Sequence, residues 1–122
     1  MGELRAAVYA RTSSNQQSVA EQVAALRAQV ADNELRVPAE REFVDDGLSG
    51  ATLVRPALAR LRDLIAAGGI ERLYVQSPDR LARTYAHQAL LFNEFQLAGI
   101  EVVCSDRWCA APESEAMRLQ HA

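Results

Sequence analysis

The sequence predicts an α/β fold in which helices flank a mainly parallel sheet of four strands. Short apolar runs alternate with longer segments whose apolar residues recur every three or four positions, and glycine or proline separates most of these segments. With 122 residues, the chain is long enough for one core but short for two domains. We therefore expect one domain over residues 1–112, with residues 113–122 beginning a further helix that is cut short.

The first half of the chain contains two predicted strand–helix units. Residues 6–10 form an apolar run typical of a buried strand, and apolar residues then recur at helical spacing through residues 18–32. A second strand is predicted at residues 42–45. Pro56 then stands where proline is tolerated, in the first turn of a helix that a glycine pair ends.

The second half repeats this alternation. We predict a third strand at residues 73–75, a helix over residues 85–98 with Leu91 and Phe95 facing inward, and a fourth strand at residues 100–104. Strands joined through helices run parallel, so the polar residues that follow them gather beyond the carboxyl ends of the sheet. A functional site is expected at that edge.

Composition restricts the function classes only weakly. The net charge of −3 and the pI of about 5.4 show no general surplus of basic residues. Any binding of DNA would therefore depend on a local group of basic residues. The thirteen basic residues include no lysine, which suits bidentate phosphate recognition but also follows from a GC-rich genome. The two cysteines have neither CxxC spacing nor the number for a disulfide framework, and no apolar run approaches 18 residues. We expect reduced thiols, no membrane association and a cytoplasmic location.

Residues 9–14, YARTSS, place an arginine and a serine pair at the end of the first predicted strand. In an extended segment, Arg11 and Ser13 point the same way. A serine hydroxyl needs a proton acceptor or a stabilised anion to act as a nucleophile. His87 and His121 are poorly placed to help, and G-x-S-x-G is absent, which disfavours a triad hydrolase.

Residues 77–83, SPDRLAR, follow the third predicted strand. Arg80 and Arg83 are three positions apart, which on one helical turn gives a common face. Guanidinium groups stabilise both an alkoxide and the charge that develops on a phosphoryl group in transfer. The two strand ends together predict phosphate chemistry, with Ser13 as the nucleophile.

Simpler interpretations of several residues stay open. Gln22 is as readily a solvated helix residue as a site residue, and Tyr9 and Tyr74 suit core packing better than catalysis. Ser14 fits a turn or a cap, and Gly50 supplies backbone freedom to a loop.

A metal site has less support. Four aspartates near strand ends could bind Mg²⁺ through oxygen, namely Asp45, Asp46, Asp79 and Asp106. Loop carboxylates are more often caps, and arginines in the same site would compete for them. No zinc pattern or phosphate-cradling P-loop is present in the sequence, and we expect no metal.

Taken in order, these motifs resemble the signature motifs of the serine recombinases, the resolvase and invertase family. The matching residues are 9–14, Gln22, 46–50 (DGLSG) with Arg55 and Pro56 after them, and 79–83 (DRLAR). The resemblance runs from about residue 4 to residue 119, and four linked motifs are far more specific than one. Residues 77–86 are most similar to the large serine recombinases of phages and mobile elements.

The resemblance implies site-specific DNA recombination. Ser13 would attack a DNA phosphodiester to give a 5′-phosphoserine link and a free 3′-hydroxyl, with no metal or nucleotide cofactor. The implied phosphate-binding residues are Arg11, Arg55, Arg80 and Arg83. Asp79 would be the acid for the leaving 3′-oxygen. The implied substrate-binding residues are Gln22, Ser14 and Gly50.

The resemblance also implies partners. Full-length members act on DNA as dimers and tetramers, through a long helix and a DNA-binding region that this chain does not include. We therefore expect the isolated chain to be inactive. Two alternatives belong to other classes. A non-catalytic α/β regulatory or interaction domain would not need Ser13, and a Mg²⁺-dependent receiver domain would need an acidic cluster after the first strand.

Overall fold

The computed structural model describes residues 4–12, 19–46, 56–104 and 107–109. Its strands are β1 (Ala6–Thr12), β2 (Glu42–Asp46), β3 (Arg72–Val75), β4 (Glu101–Cys104) and β5 (Arg107–Cys109). Its α-helices are α1 (Val19–Asp32), α2 (Pro56–Ala66), α3 (Pro78–Leu81) and α4 (Tyr85–Leu97), and a short 3₁₀ helix covers Ala39–Arg41.

The strands form one sheet in the order β2-β1-β3-β4-β5. The first four strands in this order pair in parallel, which confirms the predicted α/β fold with its parallel four-stranded sheet. Strand β5, which pairs antiparallel with β4, was not predicted from the sequence. Three residues are too few to show a strand periodicity, so only the hairpin geometry identifies this strand.

Strand β1 lies at the centre and divides the core into two layers. Ala7 and Tyr9 pack with α2 and α4 on one face of the sheet, whereas Val8 and Ala10 pack with α1 on the other. Successive side chains of a strand point to opposite faces, so an apolar run without polar interruptions fits a strand that is covered on both faces.

The helices bury the faces that their sequence periods indicate, with one addition. Helix α2 buries Leu58, Leu61 and Ile65, whereas Leu64 is only partly buried. Helix α1 buries Leu26 and also Gln22, which no apolar period marks. The solvated alternative for Gln22 is therefore wrong.

Cys104 is disulfide-bonded, so the expectation of reduced thiols is wrong for this residue. The β4–β5 hairpin sets the two cysteine-bearing strands side by side, which spacing along the chain did not reveal.

Within the described part of the chain, no helix is both long enough and apolar enough to cross a membrane.

Candidate active site

Strand β1 extends two residues beyond its predicted end, so that Arg11 lies within the strand and only 5 % of it is exposed. On one side, β2 pairs with β1 as far as Thr12. On the other side, β3 pairs only with Ala6 to Tyr9, the last register partner being Val75. The end of β1 therefore has a strand neighbour on one side only.

The side chain of Gln22 occupies the position that a strand would fill beside Arg11. Its Oε1 accepts a hydrogen bond from the backbone N–H of Arg11 at 3.1 Å, and its Nε2 donates to the Arg11 carbonyl at 3.2 Å. The Gln22 side chain is completely buried. One amide thus serves both backbone groups of Arg11, because an amide carries a donor and an acceptor side by side.

The side chain of Arg11 extends to α3. Its Nε donates to the carbonyl oxygen of Arg80 at 3.1 Å, and its Nη2 donates to that of Asp79 at 2.8 Å. In return, Nη1 of Arg80 donates to the carbonyl oxygen of Arg11 at 3.2 Å. Residues 69 positions apart therefore hold each other at the carboxyl ends of β1 and β3. Carbonyl oxygens are neutral acceptors, so these bonds orient the two guanidinium groups without neutralising them.

Asp79 lies in the first turn of α3 and is exposed. Its Oδ1 accepts a hydrogen bond from the hydroxyl of Ser77, the residue at the N-cap position. The carboxylate is therefore held at the start of α3, while the carbonyl of the same residue binds Arg11. Of the predicted site residues, the structure brings together Arg11, Gln22, Asp79 and Arg80.

Arg83 does not share a helical face with Arg80, so that prediction is wrong. Helix α3 ends at Leu81, and Ala82 has an extended backbone. Arg83 is exposed in the connection before α4, which begins where Thr84 accepts a hydrogen bond from the backbone N–H of His87 at 3.2 Å. A capping residue takes a non-helical backbone conformation, so two helices cannot run together through this segment.

A second polar cluster lies on the β2 side of the sheet. Asp45, only 3 % exposed, accepts hydrogen bonds from the backbone N–H groups of Ala57 and Leu58, each at 3.0 Å. Its Oδ2 also accepts from the hydroxyl of Tyr9 at 2.8 Å. Asp45 is thus a cap rather than a ligand for a cation. Its place directly before the DGLSG motif was the only sequence signal for it.

Four of the predicted site residues, Ser13, Ser14, Gly50 and Arg55, lie outside the described residues. Ser13 directly follows the Arg11-Thr12 end of β1 in the chain, and Arg55 directly precedes α2. Across the described ranges, no group of three or more histidine, cysteine, aspartate or glutamate side chains is arranged to hold a metal ion.

A comparison with known families matches the model "Resolvase, N terminal domain" to residues 6–120. The chain belongs to this family. The resolvase domain is also similar to a "Putative DNA recombinase" of Bacillus subtilis (strain 168), with 26 % identity over 110 residues. That alignment covers 89 % of this chain but only 22 % of the relative, so the chain spans about a fifth of that protein's length.

Solved structures agree with the family. The N-terminal catalytic domain of TP901-1 integrase superposes on this chain with a TM-score of 0.76 and 28 % identity. The match covers 84 % of this chain and 77 % of the integrase chain. A serine recombinase from Sulfolobus solfataricus gives a TM-score of 0.69 and 26 % identity, over 96 % and 78 % of the two chains. The expected resemblance to serine recombinase catalytic domains is confirmed.

Proposed function

We propose that this chain is the catalytic domain of a site-specific serine recombinase, in which Ser13 attacks a DNA phosphodiester. The observation that carries the proposal is the pair of reciprocal hydrogen bonds between Arg11 and Arg80 at the carboxyl ends of β1 and β3, in which each side chain donates to the other residue's carbonyl oxygen. It holds two guanidinium groups at the strand end that runs directly into Ser13. The likeness to catalytic domains of serine recombinases supports the same reaction.

The proposed cleavage exchanges one phosphate ester for another. The oxygen of Ser13 loses its proton to water and forms a bond to phosphorus, while the bond from phosphorus to the 3′-oxygen breaks. Asp79 gives the leaving oxygen a proton, so the products are a 5′-phosphoserine and a 3′-hydroxyl. Attack by a new 3′-hydroxyl reverses these steps and reseals the strand. Because one ester replaces another, the reaction needs no nucleotide.

The arginines would supply electrostatic stabilisation. Donors that are oriented before the reaction stabilise developing charge without reorganising during it. The carbonyl bonds to Arg11 give this kind of orientation, and a neutral carbonyl acceptor does not cancel the positive charge of the guanidinium group. In the proposal, Arg55 and Arg83 add further phosphate contacts, and Ser14 and Gly50 line the substrate site.

The wider assembly is part of the proposal. Residues 1–112 would form the catalytic domain, and residues 113–122 would begin the helix through which full-length copies form dimers and then tetramers on DNA. We propose that the reaction uses no metal or other cofactor. We also propose that the protein acts in the cytoplasm.

A covalent adduct is the direct test. The 122-residue chain and the full product of its gene are each incubated with sheared genomic DNA of the source organism, in EDTA and without nucleotide. After denaturation and nuclease digestion, mass spectrometry searches for a nucleotide on the peptide that contains Ser13. We expect the adduct with the full product, its loss in Ser13→Ala, and its retention in the control Ser105→Ala, a serine to which the proposal assigns no role.

Two results would overturn the proposal. An adduct that persists in Ser13→Ala would assign the nucleophile elsewhere. Binding of DNA by the full product without any adduct would favour a non-catalytic regulatory or interaction domain.

A further inference from the structure

We infer that Asp45 is a positioning residue that anchors the start of α2 to β1, and that the contribution of Arg55, which directly precedes α2 in the sequence, depends on this anchor. The anchoring is independent of what the protein does. The consequence for catalysis rests on the proposed function.

The contacts of Asp45 join three elements. One carboxylate oxygen accepts from Ala57 of α2, and the other accepts from both Leu58 of α2 and Tyr9 of β1. Asp45 is also the register partner of Arg11 across the β1–β2 pair. Partners in register project to the same face of a sheet, so Asp45, Tyr9 and Arg11 share the face that α2 covers.

The need for this anchor follows from the sequence of the helix start. The first backbone N–H groups of a helix have no partner within it, and a serine, threonine, aspartate or asparagine at the N-cap usually supplies an acceptor. Here Arg55 directly precedes Pro56, the first residue of α2. Arginine has no acceptor, and proline has no backbone N–H. The first two amides of α2 are instead bound by a carboxylate 12 and 13 residues earlier in the chain.

The use of a distant carboxylate in place of a local capping residue gives Asp45 its proposed role. A capping side chain at position 55 would satisfy the helix locally, but it would remove the arginine. With Asp45 as a remote cap, the start of α2 is held against the end of β2. Arg55 directly precedes this helix in the sequence. The negative charge is also favourable at the amino end of a helix.

The first experiment tests the anchor without DNA. Hydrogen exchange of the Ala57 and Leu58 amides is measured in the wild type, in Asp45→Asn and in Tyr9→Phe. We expect Asp45→Asn to accelerate both amides at least about tenfold, since asparagine offers one neutral acceptor oxygen where the carboxylate offers two charged ones to three donors. Asp63→Asn, an exposed carboxylate on α2, is the matched control and should leave both rates unchanged. Unchanged exchange in Asp45→Asn would overturn the anchor.

The second experiment tests the link to Arg55 through the rate of the Ser13 adduct per folded molecule of the full gene product. We expect Asp45→Asn and Arg55→Ala each to slow the adduct about tenfold or more, and the double variant to be no slower than Arg55→Ala alone. Multiplied effects would overturn the link, because a general loss of structure does not depend on Arg55.

Two controls separate the outcomes. Leu61→Ala destabilises the core and should leave the adduct rate per folded molecule near the wild-type value. Tyr9→Phe keeps the carboxylate and the aromatic ring and removes only the hydroxyl that donates to Asp45, so it tests the cluster if Asp45→Asn does not fold. If the wild type forms no adduct while the exchange result holds, the proposed function and the link to Arg55 are overturned, and the anchor stands.

Discussion

At the scale of single residues, hydrogen bonds to backbone groups hold the described part of this site together. Arg11 binds two carbonyl oxygens of α3, and Gln22 binds both backbone groups of Arg11. A buried amide that replaces a missing strand is sensitive to substitution, because a buried backbone group that loses its partner keeps its full desolvation penalty.

Replacing Gln22 by leucine should therefore lower the free energy of unfolding by about 1–3 kcal/mol, although the side-chain volume hardly changes. Urea denaturation followed by circular dichroism measures this difference. Gln96→Leu makes the same substitution at an exposed position of α4 and should change the free energy by less than about 0.5 kcal/mol. Equal effects of the two substitutions would contradict the strand-like role of Gln22.

At the scale of elements, the helices on the α2 side of the sheet are joined by one forked ion pair. Nε and Nη2 of Arg62 in α2 bind the two carboxylate oxygens of Glu94 in α4 at 2.9 and 2.5 Å. Hydrogen bonding to Glu94, in which Arg62 donates, is the main cause that raises the pKa of Arg62 above its ordinary value. About a third of each side chain is exposed, so solvent screens much of the attraction.

A double-mutant cycle of Arg62→Ala and Glu94→Ala should give a coupling free energy of about 0.5–1 kcal/mol. Arg62→Lys keeps the charge but loses the fork, so it should recover less than half of that coupling. Thermal or urea unfolding of the four proteins of the cycle, and of Arg62→Lys with and without Glu94→Ala, measures both values. Full recovery by lysine would show that charge alone joins the two helices.

At the scale of the whole molecule, the start of the described chain is tied to the middle of the sheet. The backbone N–H of Arg5 donates to Oε1 of Glu71 at 2.7 Å, and the backbone N–H of Glu71 donates to the Arg5 carbonyl at 2.8 Å. The first of these bonds is the main cause that lowers the pKa of Glu71 below its ordinary value, and the ion pair with Arg5 adds to it.

This lowered pKa predicts a specific dependence on pH. A carboxyl group with a depressed folded pKa adds stability that is present above its unfolded pKa and is lost as pH falls through the folded value. Glu71→Gln should therefore be less stable than the wild type at pH 7, and the difference should shrink as the pH falls below about 4.5. Urea unfolding across pH 3–7 measures this, with exposed Glu34→Gln as the control. A difference that stays constant with pH would contradict the assignment.

The sequence by itself determined the α/β class, the four parallel strands, the apolar helix faces and the motifs of the resolvase family. These are periodic or contiguous patterns, and local periodicity follows directly from helix and strand geometry. It also predicted that Arg11 and Arg80 belong to one strand-end site.

Only the tertiary structure decided how that site is held together. Gln22 replaces a strand because β3 ends early, and Asp45 caps a helix that begins 11 residues later in the chain. Arg11 and Arg80 bind each other's carbonyls across 69 residues. These contacts depend on which elements pack side by side, so no local pattern encodes them, and Arg83 shows the converse, since its helical spacing gave no shared helix.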